Sequence, residues 1–129
     1  MELEELRVYK QSMKLSDEVW HMVNKWDFFN KDTMGKPMIS SADAVATHIA
    51  EGFGRYHHKE VRQFGYYARG ALFETKTWLT RAHKRNIIDA AKFELILKEI
   101  KSIEARLNKY VNSVRRAQEI TQASVNRVA

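Results

Sequence analysis

The feature that most constrains this chain is a rhythm of apolar residues. Near the end, Phe93, Ile96, Ile100, Ile103, Leu107, Tyr110, Val114 and Ala117 recur at alternating steps of three and four. That spacing places side chains along one stripe of an α-helix. Glu94, four residues before Lys98, suits an ion pair on the solvent side. The rhythm occurs three more times. Val8, Ser12, Leu15, Val19, Met22, Trp26 and Phe29 make a first stripe, widened by Tyr9, Met13, Trp20 and Val23. A helix packed between two bundle neighbours explains that width, and a subunit contact is the other explanation. Met38, Ala42, Val45, Ile49 and Phe53 make a second stripe, with Ser41, Ala46 and Ala50 small enough for another backbone to come close. Val61, Phe64, Ala68, Ala71, Thr75, Trp78 or Leu79, and Ala82 make a third.

The breaks between stripes are short. "NKDTMGKP" holds Gly35 and Pro37, which fit a reversal followed by the first turn of a new helix. Gly52 and Gly54 fit a helix end in left-handed or open backbone angles. Asp89, in "RNIID", can cap the last helix. Gly65 and Gly70 each cost about 1 kcal/mol within a helix, so both suggest close helix contact. No run of alternating β-branched residues competes. The expectation is an all-α fold, an antiparallel up-down four-helix bundle with helices at about 6–29, 37–53, 58–85 and 89–118, and a tail at 121–129 that frays.

Composition sets limits on function. A chain of 129 residues suits one domain. Without cysteine there is no disulfide, thiolate metal site or cysteine nucleophile, which fits a reducing, cytoplasmic setting. "MELEELRVYK" does not read as a signal peptide, and no run approaches the ~18 apolar residues of a membrane span. The net charge of +6 favours polyanions. Residues 1–29 carry 4 basic and 6 acidic side chains, 30–60 carry 4 and 4, 61–88 carry 6 and 1, and 89–129 carry 8 and 5, so the excess lies in the second half.

"IAEGFGRYHHKE", residues 49–60, invites three readings. Its glycines match neither the dinucleotide nor the P-loop spacing, and they follow a helix. His57 and His58 are adjacent and diverge on a turn, leaving only His48 and Glu51 one helical turn apart, so no metal or other cofactor is expected. No nucleophile elbow or carboxylate pair supports an enzyme. Punctuation remains. If Glu51 is buried it needs a partner, for which Arg55 and Arg69 are candidates; otherwise it is solvated.

The third helix carries the clearest binding signal. Arg62, Arg69, Lys76 and His83 recur every seven residues, Tyr66 and Phe73 follow the first two by one turn, and Arg81, Lys84 and Arg85 crowd the carboxyl end. Arginine pairs its N–H donors with phosphate, and aromatic rings stack on unpaired bases. Arg62, Arg69, Lys76, Arg81, Lys84 and Arg85 are therefore the candidate nucleic-acid contacts, RNA first. The alternative is equally physical: cations suit a helix carboxyl end, and exposed Tyr and Phe suit protein contacts.

"IAEGFGR" at 49–55 together with "ARGALFE" at 68–74 resembles the four-helix-bundle family of 23S ribosomal RNA intervening-sequence proteins, over roughly residues 6–116. A related branch serves as accessory variability determinants of diversity-generating retroelements. The resemblance implies a bacterial protomer that assembles into a ring-like homopentamer and binds rather than catalyses, in one branch engaging a reverse transcriptase and nucleic acid. It marks Glu51, Gly52, Gly54, Arg55, Gly70 and Glu74 as architectural. Departures exist: "MISSA" and "AVATH" replace a paired arginine and a Ser-x-Pro-Ser-Asn-like run, and Ala71 stands where serine is common.

Overall fold

In a computed structural model describing residues 1–128, the chain forms four long helices and, among the described residues, no strand. A short 3-10 turn, Leu3–Glu5, leads into α1, Arg7–Asn24. Then come α2, Lys36–Phe53, α3, His58–Lys84, and α4, Ala90–Val128. In cross-section, α1 and α3 each pack on α2 and on α4.

The stripes become the core. Leu15, Val19, Met38, Ile49, Leu72, Leu79, Ile96, Ile100, Ile103 and Leu107 are all buried in one cluster. Buried hydroxyls are satisfied locally: Ser12 donates to the Val8 carbonyl at 2.7 Å, and Thr75 Oγ1 meets Ser41 Oγ at 3.0 Å between α2 and α3. The α2–α3 seam is the most extensive, as the small residues of α2 imply. The wide apolar face of α1 is not wholly covered, since Met13 and Trp20 remain exposed.

Three expectations need correction. α1 stops at Asn24, not near 29, and the helix is interrupted at 25–27. The cause is Asp27, whose Oδ1 accepts the Asn30 N–H at 2.9 Å and starts a new helical turn, Phe28–Asn30. Phe29 thereby leaves the stripe and is exposed. "NKDTMGKP" is no break, because a π turn, Lys31–Gly35, carries the helix on into α2. Gly35 is helical there, and its missing Cβ would fall 2.5 Å from Val23 Cγ1. Nor do Gly52 and Gly54 use left-handed angles: no described glycine has positive φ, and Asn86, at φ 62°, is where the chain turns that way. Gly52 instead admits α3, since a Cβ would lie 2.8 Å from Phe64 Cβ.

Gly65 and Gly70 divide. A Cβ at Gly65 would reach Val111 Cγ2 at 2.6 Å, as close packing requires, whereas at Gly70 it would meet nothing within 4 Å. The tail also differs, for α4 continues through Val128 with residues 121–128 exposed. The last buried residue is Val111, with Ala117 and Ile120 already exposed, so pattern loss marks where burial has ended and not where the helix does; Ala129, expected to fray with the rest, lies outside the described residues. Adding residues to a helix already formed avoids the cost of nucleation.

Candidate nucleic-acid interface

α3 spans 27 residues, about 40 Å at 1.5 Å per residue, and one flank of it faces away from the core. Along that flank Arg69 and Lys76 close on Phe73: the Arg69 Cζ lies 4.9 Å from the ring centre and the Lys76 Nζ 5.8 Å. Phe73, Lys76, Thr77, Thr80, Arg81 and Lys84 line a shallow cavity of about 450 Å³. Arg81 also stacks on Trp78, with Cζ 4.7 Å from that ring. No carboxylate comes within 4.0 Å of these cations among the described residues.

The fold therefore sets Arg69 and Lys76 on Phe73 and Arg81 on Trp78, with Lys84 lining the same cleft as Phe73, Lys76 and Arg81. Arg62 is half-buried farther along α3, and Arg85, just past its end, is exposed. Arg115, which sequence spacing did not single out, belongs with them, because its Nη2 donates to Tyr66 Oη at 2.7 Å. Only the packing of α4 on α3 brings that arginine here. Stacking of cations on Phe73 and Trp78 holds the guanidinium groups on the surface while leaving N–H donors for phosphate.

The architectural motif behaves differently. Glu51 is exposed, and neither Arg55 nor Arg69 pairs with it; its Oε1 lies 3.2 Å from His48 Nδ1. That approach is close but misaligned for a hydrogen bond, so His48 Nδ1 stays without a partner. Arg55 lies over Phe64, Cζ 4.9 Å from the ring centre, and the His48 ring sits 6.3 Å from Phe64 and 5.8 Å from Tyr67. Glu74 is exposed. His57 and His58 edge a cavity with Lys59, Glu60 and Gln118, and among the described residues no group of three or more His, Asp or Glu is placed to hold a metal ion.

One titratable pair lies elsewhere, between α1 and α4. Burial, and then the neighbouring Glu18 carboxyl, push Glu99 up to about 7, with Lys14 opposing weakly. A raised carboxyl means the folded chain binds more protons than the unfolded one between about pH 4.5 and 7, so stability falls as pH rises through that window. The group is only half-buried, so after solvent screening the loss is about 1 kcal/mol. Glu99→Gln should thus melt higher than wild type at pH 8 and like wild type at pH 4.5. An equal difference at both pH values in thermal unfolding would contradict this.

The chain is thus a helical-bundle protein with a cationic, aromatic-backed flank on α3. A family model for "23S rRNA-intervening sequence protein" matches residues 4–109, and the chain belongs to that family. No curated protein matches the chain. A crystal structure of a protein with unknown function from the S23 ribosomal protein family of Bacteroides thetaiotaomicron superposes with a TM-score of 0.73 at 16% identity. The match covers 81% of this chain and 97% of that one, and at this identity it speaks to the fold alone. No described helix is long and apolar enough to cross a membrane.

Proposed function

We infer that this chain is a non-catalytic, cytoplasmic scaffold that assembles with copies of itself and holds nucleic acid, RNA by preference, on the α3 flank. The observation that carries this reading is the row of α3 cations along one cleft, Arg69 and Lys76 on Phe73 and Arg81 on Trp78, with no carboxylate in salt-bridge range among the described residues. Buried or paired cations would serve the bundle; these serve whatever approaches from outside. Hydroxyls of Thr77 and Thr80 on their own helix carbonyls, at 3.0 and 2.8 Å, leave oxygens that can still accept, as the 2′-hydroxyl of RNA requires.

An up-down course of the helices is supported by His83 meeting Phe93 at one end of α3 and Tyr66 meeting Arg115 toward the other. Assembly into a ring, which the family resemblance puts at five copies, is supported by the apolar surface left over. Phe28 is 81% exposed, Phe29 70% and Trp20 52%, more than a solitary small domain usually shows as large side chains. The open space at Gly70 suits the same purpose, since a neighbouring chain can come close there. Those aromatics, which stand apart from the α3 cations in sequence, also favour a second reading: a surface for a protein partner such as a reverse transcriptase.

The test is salt. With about four phosphates contacted per subunit, affinity for a single-stranded RNA should fall ~50-fold between 50 and 200 mM salt. Fluorescence anisotropy of a labelled oligouridylate reads this directly, and an affinity that does not move over that range refutes the reading.

A further inference from the structure

The seam between α1 and α4 carries a second positive surface. Arg7, Lys10 and Lys14 follow one another at steps of three and four on α1, and across from them α4 presents Arg106 and Lys109. Two adjoining clefts join these residues. One, of about 330 Å³, is lined by Arg7, Lys10, Gln11, Lys14 and Arg106; the other, of about 470 Å³, by Arg7, Arg106, Lys109 and Tyr110 among others. Arg7 and Arg106 belong to both, so the clefts form one groove.

Carboxylates do little to neutralise it. Among the described residues the closest to any of the five cations is Glu18, 3.7 Å from the exposed Lys14 Nζ, a pair of little energetic weight, and Glu99 also feels Lys14. Glu5, near in sequence, already accepts the Glu2 backbone N–H at 2.9 Å. The groove floor is polar and tied across the seam, with Gln11 Nε2 donating to Ser102 Oγ at 2.9 Å. Five like charges in one cleft repel one another, so the arrangement costs the free protein stability and repays it only when an anion enters.

A row of cations along a groove, rather than around a closed pocket, matches an extended anion with evenly spaced charges. We propose that this groove is a second seat for the phosphodiester backbone of a nucleic acid, separate from the α3 flank. The inference rests on the nucleic-acid reading above. α4 packs on both α1 and α3, so the two seats flank it, and its intervening surface carries exposed Lys101 and Arg116. One strand laid across α4 reaches both.

The experiment uses Lys10→Gln, Lys14→Gln and Lys109→Gln together, all exposed positions whose neutralisation leaves the core untouched. Binding of a 20-nucleotide oligouridylate is measured at several salt concentrations, alongside Arg62→Glu, Arg69→Glu and Lys76→Glu on α3. The expected result is a salt slope shallower by about 2 and at least a tenfold weaker affinity at 50 mM salt, as three lost phosphate contacts require. Thermal stability should change little, because the relief of like-charge repulsion is offset at Lys14 by the loss of its pairing with Glu18. Unaltered affinity and slope, with the α3 variant still impaired, overturns the groove and leaves the nucleic-acid reading standing. Failure of the wild-type protein to bind the oligonucleotide overturns both. Displacement of a bound acidic peptide, polyglutamate, by the groove substitutions while RNA binding persists assigns the groove to an acidic protein and overturns the phosphate seat.

Discussion

Gly52→Ala should lower the melting temperature by about 6–10 °C, although alanine is the better helix former. The position is helical, so helix propensity alone predicts a gain of about 1 kcal/mol. Packing opposes it. The added Cβ would lie 2.8 Å from Phe64 Cβ and 3.1 Å from the Val61 carbonyl oxygen, so the obstacle is partly α3 backbone, which cannot rotate away. Forcing such a contact costs about 3 kcal/mol, near the top of the range for overpacked cores, leaving a net loss of about 2 kcal/mol. Gly54→Ala is the control. A Cβ there would find its nearest neighbours at 3.7 Å, ordinary contact, and the melting temperature should stay within about 2 °C. A Gly52→Ala protein that melts at or above wild type would show that α2 and α3 do not meet as described.

That contrast shows what the sequence makes legible and what it hides. Two glycines two positions apart read as punctuation because glycine permits turns, yet the same residue also permits contact, and no spacing rule separates the uses. Gly54 does lie at the helix end, with φ −78°, whereas Gly52 is buried directly against Phe64. The four stripes were legible since burial repeats at the helical period, and Ile96, Ile100, Ile103 and Leu107 are all buried where the rhythm places them. Boundaries were less so. The end of α1 turns on Asp27, a cap that competes with a stripe still apolar at Phe28 and Phe29.

The binding surfaces divide along the same line. Arg69, Phe73 and Lys76 lie within two turns of one helix, so their meeting could be read from spacing. Arg115 joins Tyr66 from 49 residues away, and Arg7 joins Arg106 from the other end of the chain. A tally of charge along residues 1–29, with 4 basic and 6 acidic side chains, conceals that the cations of α1 share one side while most of the acids lie elsewhere. Glu18 and Glu99 were invisible for the same reason, as their pairing exists only once α1 and α4 pack.

The largest functional effect is expected from Arg62→Glu, Arg69→Glu and Lys76→Glu combined. Each replacement changes the charge by −2, so the three bring the formal net charge of the chain from +6 to 0. Long-range attraction of a polyanion vanishes with the net charge, and three phosphate contacts become repulsions, so RNA affinity at 50 mM salt should fall by on the order of a hundredfold or more. The bundle should survive. Arg69 and Lys76 lose their stacking on Phe73, worth about 0.5–1 kcal/mol each on this surface, and Arg62 and Lys76 are half-buried but none of the three is in the core. Glutamine at the same three positions separates charge from repulsion, and its affinity should fall between wild type and the glutamate variant, with a shallower salt slope. If RNA is retained equally by all three proteins while a co-purifying protein is lost from the glutamate variant, the flank receives a protein partner. The cations then steer an acidic surface to the ring of Phe73, and the nucleic-acid reading gives way to the scaffold one.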